Sequence, residues 1–409
     1  MECVKLGDYC DITSSKRVFA NQYVEKGVPF YRSREIIEKK EMADISEPLF
    51  ISEELYETFR KKFGVPKEGD LLLTSVGTLG IPYIVKNERF YFKDGNLTWM
   101  KNFKKELSSK YLYYWLNSKF GKESLINCAI GSSQAALTIA ILKKYKIFLP
   151  ALRNQNQIVD ILSVYDNLIE NNNKRIKILE QMAENLYKEW FVRFRFPNYQ
   201  NTEFENGIPN GWRTVTLDSI LSKIATGLNP RKNFVLGNGD NYYVTIKNMG
   251  DNNIYLDDRC DKVDDEAIIK INKRSDLRQG DLLFSGIGTI GRTYLINIPT
   301  NNWNISESVF TMRPKKIVSS EYLYMLLLSD DLQNYCQAKA NGSAQKGIRM
   351  AVLRKYTFLL APIAIIENFT KKARRILNLI SLIREKNQNL TKQRDLLLPR
   401  LMSGKLEVK

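Results

Sequence analysis

The clearest pattern along the chain is a run of apolar positions that recur at alternating steps of four and three residues. It begins after Pro150 and meets no proline or glycine before Pro197, and a second such run lies between Pro362 and Pro399. This spacing is typical of a long helix that pairs with another helix along an apolar seam. The predicted seam residues are Ile158, Leu162, Ile169, Ile176, Leu179, Leu186, Phe369, Ile376, Ile380, Ile383, Leu390 and Leu397.

Each seam also contains a polar position, Asn172 in the first run and Asn387 in the second. Buried asparagines in a helix pair fix its register, whereas exposed ones are simply solvated, and the pattern leaves both interpretations open. A single helix of this kind could pack onto its own domain. Because the chain has two equivalent helices, the pattern favours their pairing with each other.

Shorter apolar runs and turn residues fill the segments before the two helices. The runs DLLLT, IPYIV, DLLF and TYLI predict strands, and SKYLYYWLNSK predicts a helix, so each segment is expected to be a mixed α and β module. The fold class is therefore α+β, with the following predicted parts: module one at 1–150, a long helix at 151–195, a polar linker at 196–211, module two at 212–362, and a second long helix with a tail at 363–409.

The two halves of the chain are copies of one unit. GDLLLTSVGTLG begins at Gly69 and GDLLFSGIGTIG begins at Gly280, 211 residues later. The same offset aligns four further blocks, which are VKL with VTL, SSKYLYYWL with SSEYLYMLL, GSSQ with GSAQ, and ILKKY with VLRKY. Between these blocks the halves diverge, most strongly at Lys16–Lys62 against Lys223–Lys273. Tandem homologous modules with different variable regions follow from this pattern.

Charge and composition narrow the classes of function. A formal net charge of +17 indicates a polyanionic partner, and nucleic acid is the commonest one. The chain has five widely spaced cysteines with no CxxC pair, so neither a disulfide framework nor a zinc cluster is expected. No signal peptide or long apolar segment is evident, which predicts a cytoplasmic protein without a membrane partner.

Motifs for catalysis are missing from the sequence. Histidine is absent, which excludes Ser-His-Asp triads and HExxH metal sites, and no phosphate-binding GxxxxGK(S/T) loop occurs. Phe284–Gly291 does match the FxGxG and GxGxxG loops that bind cofactors. Such loops precede a helix, whereas RTYLINIP follows here and predicts a strand, so a glycine-rich turn between strands is favoured. No cofactor or metal is expected on this chain.

Two pairs of segments supply candidate DNA contacts. PFYRSREI and YVTIKNM occupy similar places in the two halves, and their arginine, lysine and asparagine side chains are of the types that read base edges in the major groove. The GSSQ and GSAQK loops add hydroxyl, amide and ammonium groups. An ordinary solvated loop remains the alternative for any one residue. The candidates are Arg32, Ser33, Arg34, Ser132, Gln134, Lys247, Asn248, Ser343, Gln345 and Lys346.

The layout and several stretches resemble the specificity subunits of type I restriction–modification systems. The resemblance rests on the two glycine-rich blocks, on FLPALRNQNQIVDIL with LIENNNKRIKILEQMAENLYKEWF, on IPNGWRTVTLDSI, and on LLLPRLMSGKLEV. It covers essentially the whole chain. The second helix departs from the first, with IENFTKKARRIL in place of RNQNQIVDIL, which puts partner contacts specific to one helix in doubt.

The resemblance implies two target-recognition domains, each reading one half of an interrupted, asymmetric site in double-stranded DNA. It implies an antiparallel pair of helices that acts as a spacer, and docking of two methyltransferase subunits that carry S-adenosylmethionine. Motor and restriction subunits, with ATP and Mg²⁺, would join for cleavage. The alternatives are a self-contained DNA methyltransferase or nuclease, and a coiled-coil scaffold without sequence preference.

Overall fold

The chain forms two compact units, and both long helices contribute to each of them. The computed structural model describes residues 2–43, 45–131, 135–250, 252–342 and 346–406. The first unit consists of Met1–Arg175 and Arg384–Lys409, and the second consists of Ile176–Ile383. A boundary between compact units thus falls within each long helix, rather than at the helix ends where the sequence pattern places the domain limits.

The described residues of unit 1 form ten strands, five short α-helices and parts of the two long helices. In chain order the elements are β1 (Glu2–Lys5), β2 (Asp11–Thr13), β3 (Tyr23–Val24), β4 (Val28–Tyr31), α1 (Ser33–Lys40), β5 (Leu49–Ile51), α2 (Glu53–Lys62), β6 (Leu71–Thr74), β7 (Pro82–Ile84), β8 (Tyr91–Phe92), β9 (Leu97–Lys101), α3 (Ser109–Asn117), α4 (Lys119–Ile126), α5 (Ile139–Lys144), β10 (Lys146–Leu149) and α6 (Leu152–Tyr187).

Two four-stranded sheets and a closing strand pair organise unit 1. One sheet has the order β2-β9-β6-β7 and the other β3-β5-β4-β8, in which β4 and β8 run parallel. The first strand β1 pairs antiparallel with the last strand β10. The largest core cluster joins the first sheet to α3 through Leu71, Met100 and Trp115, all of which are at most 1% exposed.

Unit 2 repeats this arrangement with small additions. Its elements are β11 (Phe204–Glu205), β12 (Ile208–Pro209), β13 (Arg213–Thr216), α7 (Leu217–Ile220), β14 (Leu221–Thr226), β15 (Asn241–Val244), β16 (Met249–Gly250), β17 (Asn253–Ile254), β18 (Asp261–Val263), α8 (Asp265–Ser275), β19 (Leu282–Ser285), β20 (Thr293–Leu295), β21 (Trp303–Ile305), β22 (Val309–Pro314), α9 (Ser320–Leu328), α10 (Asp330–Lys339), α11 (Met350–Leu353), β23 (Thr357–Leu360) and α12 (Ile363–Met402).

The sheets of unit 2 match those of unit 1, except that no strand among the described residues takes the place of β3 beside β18. The order β14-β22-β19-β20 repeats β2-β9-β6-β7, and β18-β15-β21 repeats β5-β4-β8 with its parallel pair. The terminal strands pair again, as β13 with β23. Strands β6 and β19, and helices α3 and α9, lie at the 211-residue offset that the sequence blocks show. The predicted duplication and mixed α and β character of the modules are therefore confirmed.

Within unit 1 the two long helices run antiparallel. Asp166 of α6 accepts a hydrogen bond from Arg394 of α12 at 2.7 Å, and farther along α6, Asn172 donates to Asn387 at 2.8 Å. Residue numbers thus rise on one helix while they fall on the other. The amide of Asn387 also donates to Asn173 at 2.7 Å. The seam asparagines bond to each other, and Asn172 is 5% exposed, so the structure favours the register interpretation over solvation.

Within unit 2 the same helices pair through apolar side chains, again antiparallel. Ile176 packs with Ile380 and Ile383, and in the π-helical turn Lys188–Val192 that follows α6 the ring of Trp190 lies 5.9 Å from that of Phe369. Of the twelve predicted seam residues, none is exposed. Those that are buried are Ile158, Leu162, Ile176, Phe369, Ile380 and Ile383, and those that are half-buried are Ile169, Leu179, Leu186, Ile376, Leu390 and Leu397.

The asparagine pair gives a first prediction. Asn387→Ala leaves the buried amide of Asn172 without its partner, so we expect the free energy of unfolding to fall by about 1–3 kcal/mol. The double variant Asn172→Leu/Asn387→Leu removes both polar groups and should recover most of that loss. Urea unfolding of the purified chain followed by circular dichroism measures both. Equal losses in the single and double variants would contradict the expected pairing.

The described residues contain neither a disulfide bond nor a membrane-spanning helix. All five cysteines are free, with Cys10, Cys260 and Cys336 buried and Cys3 and Cys128 exposed. Over the described ranges, no helix is both long and apolar enough to cross a membrane.

Candidate nucleic-acid interface

In unit 1, two loops meet at the end of the sheet β2-β9-β6-β7. The glycine-rich loop between β6 and β7 returns on itself, since Gly80 donates its backbone N–H to the carbonyl of Thr74 at 2.8 Å. The loop after α4 joins it through the bridge between Ala136 and Val76, and a second bridge, between Ala136 and Ile130, closes the loop after α4 on itself. Gly77 has a φ of 78°, in the left-handed region that favours glycine, and lies exposed at the tip. The backbone itself therefore holds this loop pair in one shape.

Unit 2 builds the same loop pair from the second copy of the sequence blocks. Gly347 bridges to Ile287 and Asn341, and Gly288 donates its N–H to the carbonyl of Lys346 at 2.8 Å. A Cβ atom on Gly286 would lie 2.4 Å from the ring of Phe310, so this glycine is required by packing. Strand β20 follows the loop. Phe284–Gly291 is therefore a glycine-rich turn between the antiparallel strands β19 and β20, as the sequence pattern favours, and not a cofactor loop that precedes a helix.

The predicted residues Arg32 and Ser33 lie beside the loop pair of unit 1. Arg32 precedes α1, and its backbone N–H and guanidinium both donate to the carboxylate of Glu35, which is fully buried. These hydrogen bonds raise the pKa of Arg32. The hydroxyl of Ser33 donates to the carbonyl of Asn96, which also accepts the N–H of Ser75. Helix α1 is thereby tied to the glycine-rich loop at its first turn.

In unit 2, Asn248 occupies the place that Glu35 holds in unit 1. Its side-chain oxygen accepts the N–H of Thr245 at 2.9 Å, and its amide donates to the carbonyl of Arg259 at 3.0 Å. Only 1% of Asn248 is exposed. The role expected for Asn248 as a reader of base edges is therefore corrected, because its amide is already committed to holding the backbone.

The remaining predicted residues differ in how free their side chains are. Arg34 is exposed but forms ion pairs with Glu38 at 3.2 Å and Glu47 at 2.7 Å. Lys247 and Lys346 are exposed, and no acidic group of the described residues pairs with either of them. Both lysines can therefore reach a polyanion without breaking an ion pair. Ser132, Gln134, Ser343 and Gln345 lie outside the described residues.

Sequence reasoning missed the short segments that connect these loops to the rest of each module. In unit 1 the segment is Asp94–Asn96, which contacts both Ser33 and Ser75 through Asn96. In unit 2 it is Ser306–Ser308, where the carbonyl of Ser308 accepts the N–H of Gly286 at 2.9 Å. The contacts are made by backbone carbonyl groups, which carry no signal in the residue types. Only the shared position in the two copies could have indicated these segments.

The end of α1 carries a half-buried lysine. Lys40 donates to the side-chain oxygen of Asn117 in α3, and Asp166 and Arg394 of the helix pair act on it electrostatically. Burial lowers the pKa of Lys40 to about 8, and the charges of Lys122 and Arg394 act in the same direction. Helix α1 therefore connects the loop pair, at its first turn, to α3 and the helix pair, at its last.

Lys40 gives a second prediction. Because its pKa in the folded chain lies below the ordinary value of about 10.4, the unfolded chain binds more protons above pH 8. Lys40 should therefore contribute a rise in the stability of unit 1 between pH 8 and about pH 10.4. Lys40→Met should abolish this rise, which urea unfolding at several pH values would show. An identical rise in Lys40→Met and in the unsubstituted chain would contradict the assignment.

The described part of the chain offers no cluster of metal-binding side chains. No group of three or more acidic, cysteine or histidine side chains there could hold a metal ion. The arrangement instead presents fixed loops and exposed cations, which suit binding to a polyanion.

The comparison with known proteins agrees with this geometry. The family model of the type I restriction modification DNA specificity domain matches twice, at residues 1–181 and 209–392. The type I restriction enzyme MjaIX specificity subunit of Methanocaldococcus jannaschii is 27% identical over 354 residues, which is 83% of this chain and 78% of that protein. A putative type I restriction enzyme specificity subunit of Haemophilus influenzae is 30% identical over 45% of each chain.

A solved structure has the same fold. The S subunit of a type I restriction–modification system from M. genitalium superposes with a TM-score of 0.56 at 15% identity, over 98% of this chain and 95% of that one. Since the family model covers both halves, the relationship extends beyond fold to sequence. The chain belongs to the type I restriction–modification DNA specificity family.

Proposed function

We propose that the chain is the DNA-reading subunit of a type I restriction–modification complex, in which each unit recognises one half of an interrupted, asymmetric site. One observation carries the proposal. The two units share a loop framework, built from nearly the same sequence blocks, while the residues placed around it differ. The shared loops can bind the sugar–phosphate backbone, which is the same in both half-sites, while the differing residues around them can read different bases.

Catalysis belongs, in this proposal, to partner subunits. Two methyltransferase subunits would supply S-adenosylmethionine, and restriction and motor subunits would supply ATP and Mg²⁺. The sequence has no histidine, and the described part of the chain offers no metal-binding group, which supports a role in recognition alone.

Exposed apolar side chains on the long helices support protein partners. In unit 1, Val164 is 55% and Leu396 is 66% exposed, and in unit 2, Ile178 is 59% and Leu382 is 62% exposed. These residues lie outside the buried seam. Exposed apolar residues that form one contiguous patch are typical of a surface that a partner covers, and the proposal assigns these positions to such a surface. Since both units carry them, one methyltransferase subunit for each unit is the simplest arrangement.

Reconstitution distinguishes the proposed recognition subunit from a self-contained DNA methyltransferase. The purified chain, the methyltransferase subunit of the same system, and their mixture are each incubated with DNA and labelled S-adenosylmethionine. We expect adenine methylation at one split motif by the mixture only. Methylation by the chain alone would show a self-contained methyltransferase. If the mixture bound DNA of random sequence as tightly as DNA that carries the motif, a scaffold without sequence preference would be favoured.

A further inference from the structure

A basic and aromatic surface lies at one side of unit 1, beyond the loop pair. The loop after β2 and the last turn of α2 meet there, with the ammonium of Lys16 5.7 Å from the ring centre of Phe63. Phe63 is 47% exposed and Phe19 is 60% exposed. Lys61 and Lys62 are also exposed. These five residues are named the flank patch.

The lysines of the flank patch form no ion pairs with the described residues of unit 1. The neighbouring acidic groups already have partners, since Glu57 pairs with Arg60 at 2.7 Å and Asp94 pairs with Arg17 at 2.9 Å. No acidic side chain of the described residues pairs with Lys16, Lys61 or Lys62. Three exposed lysines without an ion pair, of which Lys16 lies by the exposed ring of Phe63, suit a polyanion that also has apolar surface.

The flank patch is continuous with the candidate interface. Arg17, next to Lys16, bonds to Asp94, and Gly95 donates its N–H to the hydroxyl of Ser14 at 3.4 Å. The next residue, Asn96, accepts hydrogen bonds from Ser33 and Ser75 at the loop pair. The segment Asp94–Asn96 therefore joins the two surfaces through direct hydrogen bonds.

Unit 2 has a surface at the same place in its fold, made of different residues. Its loop after β14 begins at Gly227, whose N–H bonds to the carbonyl of Ser306, and the ammonium of Lys270 in α8 donates to the carbonyl of Asn233 at 2.7 Å. Aliphatic side chains replace the aromatic ones there, with Val235 66% and Ile269 61% exposed. The position is common to both units, whereas its chemistry is specific to each.

We propose that the flank patch is a second DNA-contacting surface of unit 1, which binds the duplex half-site beside the loop pair. Lys16, Lys61 and Lys62 contact backbone phosphates. Phe19 and Phe63 lie against the apolar parts of nucleotides, such as sugars and thymine methyl groups. The proposal rests on the proposed function and adds to it the residues that make the first unit's footprint differ from the second's.

The test measures the affinity of the assembled methyltransferase complex for its motif duplex as a function of salt. Each lost phosphate contact lowers the magnitude of the log–log slope by about 0.9, so Lys16→Gln/Lys61→Gln/Lys62→Gln should lower it by about 2.7. Lys105→Gln/Lys110→Gln/Lys119→Gln is the matched control, because it removes the same charge from exposed lysines of the same unit. The control should leave the slope within about 0.5 of that of the unsubstituted complex.

A second variant tests the apolar contacts. Phe19→Ser/Phe63→Ser should weaken binding about tenfold or more without changing the slope, and circular dichroism shows whether the fold persists. A folded lysine variant with an unchanged slope overturns the proposal, as does a control that loses as much slope as the flank-patch variant. In either case the unsubstituted complex still binds its motif. Failure of the unsubstituted complex to prefer the motif would instead overturn the proposed function.

Discussion

Replacing Lys16–Lys62 with the corresponding segment of a family member that has another target should change one half of the methylated motif. This segment contains β3, β4 and β5, which are three of the four strands of the second sheet of unit 1, together with helices α1 and α2. It diverges from its counterpart in unit 2. Each mismatched base pair costs a DNA-binding protein about 1–3 kcal/mol, so several mismatches in one half should abolish methylation at the original motif.

Sequencing of methylated adenines in cells that carry the exchanged chain measures the outcome. The other half of the motif and the gap between the halves should remain unchanged. Exchange of Lys223–Lys273 is the matched control, since it should change the half that the first exchange left intact. A first exchange that altered both halves, or neither, would rule out recognition of one half by each unit.

Inserting four residues into both long helices, after Arg175 and after Ile383, should lengthen the gap in the methylated motif by about one to two base pairs. Four residues add ~6 Å to a helix and turn it by about 400°, which is slightly more than one full turn, so the apolar seam keeps most of its phase. These positions are the boundaries between the two compact units, so the insertions leave Asn172 with Asn387, and Ile176 with Ile380, in their present contacts.

Two controls separate length from disruption. Two inserted residues at the same positions rotate each helix by about 200°, which should abolish assembly and methylation. Four residues inserted into α6 alone would misalign it with α12, with the same result. Full methylation with an unchanged gap, after insertion into both helices, would show that the helices do not set the distance. The linker Phe196–Trp212 would then be the segment to vary.

The duplication and the helix seams are predictable from sequence because both depend on spacing. The 211-residue offset and the alternating spacings of four and three residues between apolar positions can be recognised even where individual residues have been replaced. The buried positions of α6 and α12 follow this spacing. The asparagine bond between Asn172 and Asn387 is harder to predict. Its partners lie 215 residues apart, and only the antiparallel direction of the helices brings them together.

The candidate interface is less accessible to such reasoning, because the residue type does not show where a side chain's hydrogen bonds are made. Asn248 has the amide that reads adenine, yet the backbone of Thr245 and Arg259 occupies it. Arg32 is held by Glu35 three residues later, a pattern of helix beginnings that sequence alone could have indicated. The flank patch joins residues from 16 to 63, which only the folded loop and α2 place together.

The pairing of β1 with β10, and of β13 with β23, has a consequence for how such proteins diversify. The first and last strands of each module lie side by side in one antiparallel pair. The two ends of the module are therefore adjacent, whatever sequence lies between them. Recombination between related genes can therefore replace the interior of one module as a cassette. A cell could acquire a new target in a single genetic event, without a succession of partly functional intermediates.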